Sequence, residues 1–360
     1  MRVLHMLPTF DLGGLGTLAL EVARSWPKGD EHVFLGSRFP GTHPVLRPSY
    51  EALGPTEDVH RSLLHPMNFV DSMRDTVRKH GPFDGAVVYN FFDHVWYTMA
   101  ANRGGLQGRV LCHVGTVLPN VEQTQLALQS PFTDSVRFVA ASAAVADSLI
   151  VAGASPAKLF PVAWNGVDLK RFTPVKPAVD DGERRVVFGF TGRLCPDKDF
   201  DTLLRAFARL PPRVRARVQL RIAGGGPHRD ELHQFARSLE LTSDELQFVG
   251  ALDKDKVHHF LEGLDVFVMA ALPIEGMSMA LVEAIVSGLP ILATDVPSNR
   301  EVLHGQAGHL TRGIDGLAQA VEWLTFDEHA RLKLGGHSVA YREAFDVKRV
   351  VAKYRQMLID

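Results

Sequence analysis

The sequence predicts an α/β protein built from two successive doubly wound domains, and three observations carry that expectation. Short β-branched and aromatic runs alternate with longer amphipathic ones, the pattern of strand–helix–strand units around a parallel sheet. The alternation stops over residues 165–185, NGVDLKRFTPVKPAVDDGERR, where turn formers and charge replace apolar periodicity, and then restarts. A length of 360 residues suits about two domains of ordinary size. The expected division is a first domain over 1–165, a second over 166–340, and a terminal helix over 341–360 packing back toward the first.

In the first half, apolar runs predict strands over 3–6, 32–35, 86–89, 110–113, 138–140 and 159–162, with helices over 16–25, 68–80 and 143–151. The second half predicts strands over 186–191, 220–223, 246–249, 266–270 and 291–294. Leu203, Leu204, Phe207, Ala208 and Leu210 recur at helical spacing over 202–210, with Asp201 as the expected N-cap. Ligands of doubly wound sheets bind beyond the carboxyl ends of the strands, so the loops after each strand are where chemistry is sought.

Composition narrows the classes. Lys plus Arg total 39 against 41 Asp plus Glu, and residues 1–165 carry 13 basic and 14 acidic side chains. Neither half is polarised, which argues against nucleic-acid backbone binding and against a polybasic membrane anchor beyond weak peripheral contact. Two cysteines, Cys112 and Cys195, supply neither a disulfide framework nor a thiolate zinc site. The opening MRVLHMLPTFDLGG is broken by Pro8 and Asp11, unlike a secretory signal, and no stretch reaches the ~20 apolar residues of a membrane span. A cytoplasmic protein is expected.

Several loops hold candidate chemistry. Asp11-Leu-Gly-Gly-Leu-Gly16 follows the first strand and opens a helix, a place where backbone N–H groups meet an anion; a tight turn serves equally. Gly224-Gly-Gly-Pro227 has the same two readings. Neither has the G-x-G-x-x-G spacing of a dinucleotide fingerprint, and a Walker A sequence is absent. Thr191-Gly-Arg-Leu-Cys-Pro-Asp-Lys198 places two cations just past a buried strand, suited to a diphosphate or to an ordinary solvated loop. In Glu275-Gly-Met-Ser-Met-Ala-Leu-Val-Glu283, a loop carries Glu275 and Gly276, a helix opens near Ser278, and Glu283 lies inside it among apolar side chains. A carboxylate so placed needs partners; a ribose diol would supply two hydrogen bonds, and capping or a nearby Arg is the alternative. Cys195 has no base beside it and reads as passive, and His258-His259 as a solvated helix face. The run Tyr89-Asn-Phe-Phe-Asp-His-Val-Trp-Tyr97 and residues 43–48 and 114–125 are first-half loop regions able to line a ligand pocket, although core packing explains the aromatics of the run equally.

At this point the chain resembles a known family. Glu275 and Glu283, with seven residues between them and followed by A-x3-G-x-P, are similar to the E-x7-E signature of retaining family-4 glycosyltransferases (glycosyl transferases group 1), enzymes of the two-domain GT-B fold. Asn165-Gly-Val-Asp168 with Phe172 and Pro174 resembles that family's junction, and Gly192 through Lys198 its GR-x4-K phosphate motif. Ile222 through Pro227, Phe248-Val-Gly250 and Glu301 through Gly308 follow in the family's order, while Gly13-Gly14, His113 and Ala141-Ser142 match more loosely in the first half. Two departures stand out: Asp199 replaces the usual Gly after the lysine, and Met277-Ser-Met279 replaces Phe-Gly-Leu.

The resemblance implies two Rossmann-like domains facing across a cleft, the first binding the acceptor and the second a nucleotide sugar, with UDP favoured. It implies transfer with retained configuration to a glycan, a lipid-linked or a small-molecule acceptor, and no metal or other cofactor. Arg193, Lys198 and backbone near Gly13, Gly14 and Glu275–Ser278 (Gly276 and Met277 included) would stabilise the departing diphosphate. Glu283 would hold the ribose, Gly250 and Ala251 would border the base, and His113 and Glu275 would position the sugar. A buried histidine satisfied by backbone is the alternative for His113. Rival functions are a non-catalytic partner subunit of the same fold, a nucleotide-sugar epimerase and a glycan phosphorylase. A nicotinamide oxidoreductase is disfavoured by the missing fingerprint.

Overall fold

A computed structural model describes residues 1–38, 42–60, 66–177, 182–303 and 307–359. The chain divides into two compact units, Met1–Gly166 with Val347–Asp360, and Val167–Asp346. Part of the 165–185 junction and of the 301–308 motif lies outside the described residues.

The first unit holds parallel strands β1 (Arg2–Leu7), β2 (Glu31–Arg38), β3 (Thr56–His60), β4 (Gly85–Val88), β5 (Arg109–Val114), β6 (Val136–Ala140) and β7 (Leu159–Phe160), ordered β3-β2-β1-β4-β5-β6-β7. Between them run α1 (Gly14–Arg24), α2 (Arg47–Glu51), α3 (Pro66–His80), α4 (His94–Arg103), α5 (Val121–Leu128) and α6 (Ala143–Val151). The second unit repeats the plan with β8 (Val186–Thr191), β9 (Val218–Ala223), β10 (Leu246–Gly250), β11 (Val266–Met269), β12 (Ile291–Thr294) and β13 (His309–Thr311), ordered β10-β9-β8-β11-β12-β13. Its helices are α7 (Phe200–Ala208), α8 (Pro212–Arg215), α9 (Arg229–Ser238), α10 (Val257–Glu262), α11 (Met279–Val286), α12 (Pro297–Leu303), α13 (Gly313–Phe326) and α14 (Glu328–Tyr341). The last helix, α15 (Val347–Ile359), belongs to the first unit. In each sheet the strand order reverses beside the first strand, between β1 and β4 and between β8 and β11, the places where such sheets take ligands.

Every predicted strand forms, because continuous apolar runs suit strands covered on both faces. β3 and β13 escape the pattern: TEDVH is polar and HLT is short, and both lie at sheet edges where little side chain is buried. Two expectations need correction. Helix α7 begins at Phe200, and its N-cap is Asp199, whose carboxylate accepts from the Thr202 N–H at 3.3 Å. Asp201 lies in the first turn and pairs with Arg205 at 2.9 Å. The run 89–97 is loop only as far as Asp93, since α4 starts at His94, and Tyr89, Phe91 and Tyr97 are buried in keeping with core packing while Phe92 is exposed. On α10, His259 is exposed as expected, while His258 is half-buried: its Nε2 lies 3.0 Å from Thr173 Oγ1, and its ring stands edge-on to Phe172.

Alternation puts two different faces on the first sheet. Leu4, Met6, Val33, Leu35, Ala86, Val88, Val110, Cys112, Phe138 and Ala140 share one apolar core. The other face carries buried polar rings. His5 on β1 meets His32 on β2 (Nε2 to Nδ1, 2.9 Å) and Tyr89 (Nδ1 to Oη, 3.2 Å), and His113 on β5 meets Tyr354 of α15. Asp30 helps to hold α15 against this unit, pairing with Arg355 at 3.0 Å and with the Met1 amino group at 2.6 Å.

Burial dominates the titration of these rings. It holds His5 well below the ordinary histidine range and lowers His32, His94 and His113 to about 4. These four stay neutral in the fold but titrate near ~6.5 when unfolded, so the unfolded chain binds more protons between those values. Their contribution is complete above about 6.5 and is lost as the pH falls toward 4. Urea unfolding at pH 7, 6 and 5 should therefore show stability dropping with acid, accompanied by proton uptake on unfolding. Constant stability over that range would mean these rings are hydrated in the fold.

Candidate functional site

The carboxyl edge of the second sheet is built by backbone interlocking. Gly192 N–H donates to Ala223 O at 3.0 Å, Leu194 N–H to Gly225 O at 2.8 Å, and Gly224 N–H to Gly250 O at 2.7 Å. The loops after β8, β9 and β10 thus lie backbone on backbone. A methyl group on Gly224 would stand 1.8 Å from the Gly192 carbonyl oxygen, so this glycine serves close packing. Gly226 has φ +155 and Gly250 φ +86, conformations that exclude most side chains. Ala251 lies against Gly225, 3.4 Å from where a methyl would sit.

On the other side of β8, Leu272 N–H donates to Asp197 O at 3.0 Å, tying the loop after β11 to the turn that carries Lys198. The Thr294 hydroxyl anchors that loop from β12, accepting from Ala271 N–H at 2.9 Å. These ties bring the Lys198 ammonium onto Glu275 Oε2, with Asp197 3.8 Å from the same nitrogen. Both partners are largely buried, their side chains 13% and 7% exposed. The pair lies where the strand order reverses. Arg193, five residues earlier, is exposed and has no carboxylate within ion-pair distance among the described residues.

Helix α11 follows directly. Its N-cap Ser278 is buried and makes no side-chain cap bond, and Gly276 and Met277 before it are buried as well. All eight residues of α11 are buried, Glu283 among them at 8% exposure. Burying Leu281, Val282, Ile285 and Val286 contributes about 1.5–3 kcal/mol per side chain and locks the helix in place. Its far end is held by Arg342, which donates to Val286 O at 3.1 Å and to Phe172 O at 2.6 Å. The 169–172 segment thereby supports α11, while Arg171 reaches the turn after β10, donating to Lys254 O at 3.4 Å.

In the first unit the corresponding edge carries Gly13, Gly14 and His113. Gly13 caps α1 with extended backbone (φ −178) and open space around its Cα, so neither conformation nor packing demands a glycine there. Gly16 differs, since a methyl would lie 3.0 Å from Asp11 O. His113 is fully buried; its Nδ1 meets Tyr354 Oη at 2.7 Å, and its Nε2 has no partner among the described residues. Among the described residues no backbone group satisfies it.

Sequence reading missed Tyr354, 241 residues from the histidine it meets, and the Thr191 hydroxyl, buried at the end of β8 without a partner among the described residues. Thr191 heads the motif already singled out; nothing local marks Tyr354. Burial, and then the Asp197 carboxylate, push the Cys195 thiol up to about 11, so it is no thiolate at neutral pH. Among the described residues, no group of three or more His, Cys, Asp or Glu is placed to hold a metal, and no helix is long and apolar enough to cross a membrane.

Residues 174–336 match the family described as Glycosyl transferases group 1. EpsF of Bacillus subtilis is 28% identical over 352 residues, covering 86% of this chain and 83% of that one. A Mycobacterium tuberculosis protein named as a GDP-mannose-dependent alpha-(1-6)-phosphatidylinositol monomannoside mannosyltransferase is 29% identical over 348 residues, covering 87% and 82%. The crystal structure of HepE from Anabaena, solved with UDP and glucose, superposes over the whole of both chains with a TM-score of 0.83 at 19% identity. Two doubly wound units, the interlocked loops and the Glu275–Glu283 segment within the matched region agree with these findings: the chain has the GT-B fold, and its residues 174–336 match the glycosyl transferases group 1 family.

Proposed function

We propose that the chain transfers a sugar from a nucleoside diphosphate donor to a sugar-containing or lipid-linked acceptor, with retention at the anomeric carbon and without a metal. The observation that carries this reading is the meeting of Lys198 and Glu275 at the reversal point of the second sheet, beside the N-terminus of α11. The bond from the anomeric carbon to the diphosphate breaks, and its electron pair leaves with the phosphate oxygen. Arg193, Lys198 and the N–H groups around Gly276, Met277 and Ser278 would stabilise that charge, an electrostatic task that needs no cation beyond the protein's own. The acceptor hydroxyl attacks the same face, and its proton passes to the departing phosphate.

Glu283 would accept the ribose hydroxyls, while Gly250 and Ala251 would border the base. In the first unit, Gly13 and Gly14 would admit the phosphates close to the backbone. His113, lowered to about 4 by burial, would act as a neutral hydrogen-bond donor to the sugar rather than as a cation. The mannosyltransferase relative is named for GDP-mannose and the HepE crystals hold UDP, so both bases enter the test.

A thermal-shift panel of UDP, GDP and ADP with EDTA present should single out one nucleotide. Saturation at ~100 times the dissociation constant adds about 2.7 kcal/mol to folded stability. Arg193→Ala, Lys198→Ala and Glu283→Ala should each weaken that nucleotide about tenfold or more, a charged hydrogen bond being worth ~1.5–3 kcal/mol. Silence across the panel would favour the partner-subunit reading. Turnover should survive EDTA; activity abolished by EDTA and restored by Mg²⁺ would remove the metal-free mechanism.

The glycines provide a separate comparison. Gly224→Ala should lower the melting temperature, because the methyl has no room beside the Gly192 carbonyl. Gly13→Ala should fold within about 1 kcal/mol of the parent yet lose donor turnover. If Gly13→Ala is as unstable as Gly224→Ala, the first turn serves packing and not a ligand.

A further inference from the structure

The Tyr354–His113 contact contains more than burial. Both side chains are fully buried, and the Tyr354 hydroxyl meets His113 Nδ1 at 2.7 Å with no second partner among the described residues. Two proton arrangements are open to such a pair. If Nδ1–H donated to the tyrosine oxygen, the phenolic hydrogen would lack an acceptor and Nε2 would be a buried bare lone pair, two unsatisfied groups. If the phenol donates to Nδ1, the hydroxyl is satisfied and only Nε2–H remains open. Burial alone, with no charged neighbour, lowers the ring to about 4, so the imidazole is neutral and has one N–H to place.

Nε2 faces the end of the strand. A methyl built on Gly115, the first residue past β5, would lie 3.7 Å from Nε2 and 2.9 Å from Leu15 Cδ2 in the first turn of α1. The open nitrogen therefore lies beside Gly115, a residue without a side chain, at the carboxyl end of β5.

We infer that Tyr354 is a positioning residue that donates its phenolic hydrogen to His113 Nδ1, holding the ring as the Nε2–H tautomer so that Nε2 presents a fixed donor to an oxygen of the transferred sugar. This rests on the reading of His113 as a sugar-contacting residue. It gives α15 a task in the reaction: the helix supplies the group that sets the proton on a strand residue 241 positions earlier. The carbon skeleton of Tyr354 fills the space beneath the sheet, and the hydroxyl alone carries the tautomer choice, so the two roles separate in Tyr354→Phe.

The test uses the full chain labelled with ¹⁵N-histidine, with the His113 signals assigned by their loss in His113→Gln. Two-bond ¹H–¹⁵N spectra should show a protonated Nε2 and a bare Nδ1 in the parent. In Tyr354→Phe, the Nδ1–H form should appear. Release of UDP from UDP-glucose, or of GDP from GDP-mannose, should fall about tenfold in kcat, with KM and nucleotide affinity little changed. A parent chain with Nδ1 protonated overturns the proposal even if Tyr354→Phe does not fold, and so does a Phe variant whose tautomer is unaltered. Should His113→Ala turn over donor as the parent does, the reading of His113 itself fails and the functional half of this inference falls with it; the spectra report the tautomer independently.

Discussion

Main chain packed on main chain is the constraint from which the second unit's site follows. The loops after β8, β9 and β10 exchange hydrogen bonds at 2.7–3.0 Å, and such approach is open only where side chains are missing from the facing surfaces. Gly224 has no room for a methyl, and Gly226 and Gly250 adopt backbone that other residues avoid. With three loops fixed this way, the short turn carrying Arg193 and Lys198 has a rigid floor. One further backbone bond, Leu272 N–H to Asp197 O, transmits that rigidity to the loop of Glu275. Positioning by backbone rather than by side chain leaves the side chains of these loops available for a ligand.

The first unit solves the same problem differently. Its edge is supported from beneath by a sheet face of buried rings, where His5 pairs with His32 and Tyr89, and His113 with Tyr354, only the His113 Nε2 of these contacts staying open among the described residues. Buried polar rings are costly unless paired, and pairing fixes their orientation. One consequence is that α15, last in the chain, is a structural part of the first unit; Asp30 clasps it through Arg355 while also holding the amino terminus.

What the sequence made legible follows the same division. Strands with largely apolar runs, such as β1, β5, β8 and β12, announce themselves because burial on both faces selects apolar residues at most positions. Edge strands β3 and β13 do not, since only one flank is paired and little side chain is buried. Motif glycines were visible, but their purpose was not: Gly224 and Gly13 look alike in a string of letters, and only the space around each tells packing from open ground. The α7 cap shows a finer limit. Asp199 and Asp201 are both capping residues by type, and the choice depends on Asp199 adopting φ +39, a left-handed conformation. That conformation also accounts for the departure from the family pattern: where glycine is usual, this chain uses an aspartate that tolerates the backbone and gains a hydrogen bond to Thr202. Tyr354 was beyond reach, because no local pattern links it to a strand residue 241 positions away.

The Lys198–Glu275 pair looks at first like an obstacle to an anionic ligand, because a carboxylate already occupies the cation. Ammonium chemistry resolves this. Lysine has three N–H donors on a flexible stem, and a mostly buried glutamate that takes one of them fixes the direction of the other two. Without Glu275, an ammonium so far from water would carry a desolvation cost that a distant phosphate could not offset. With it, the turn is close to neutral, and in the proposed donor complex the attraction for a diphosphate would come chiefly from Arg193, exposed and without a carboxylate partner among the described residues, together with the start of α11. Division of labour between an oriented lysine and an open arginine explains why one of the two cations is buried and the other is not.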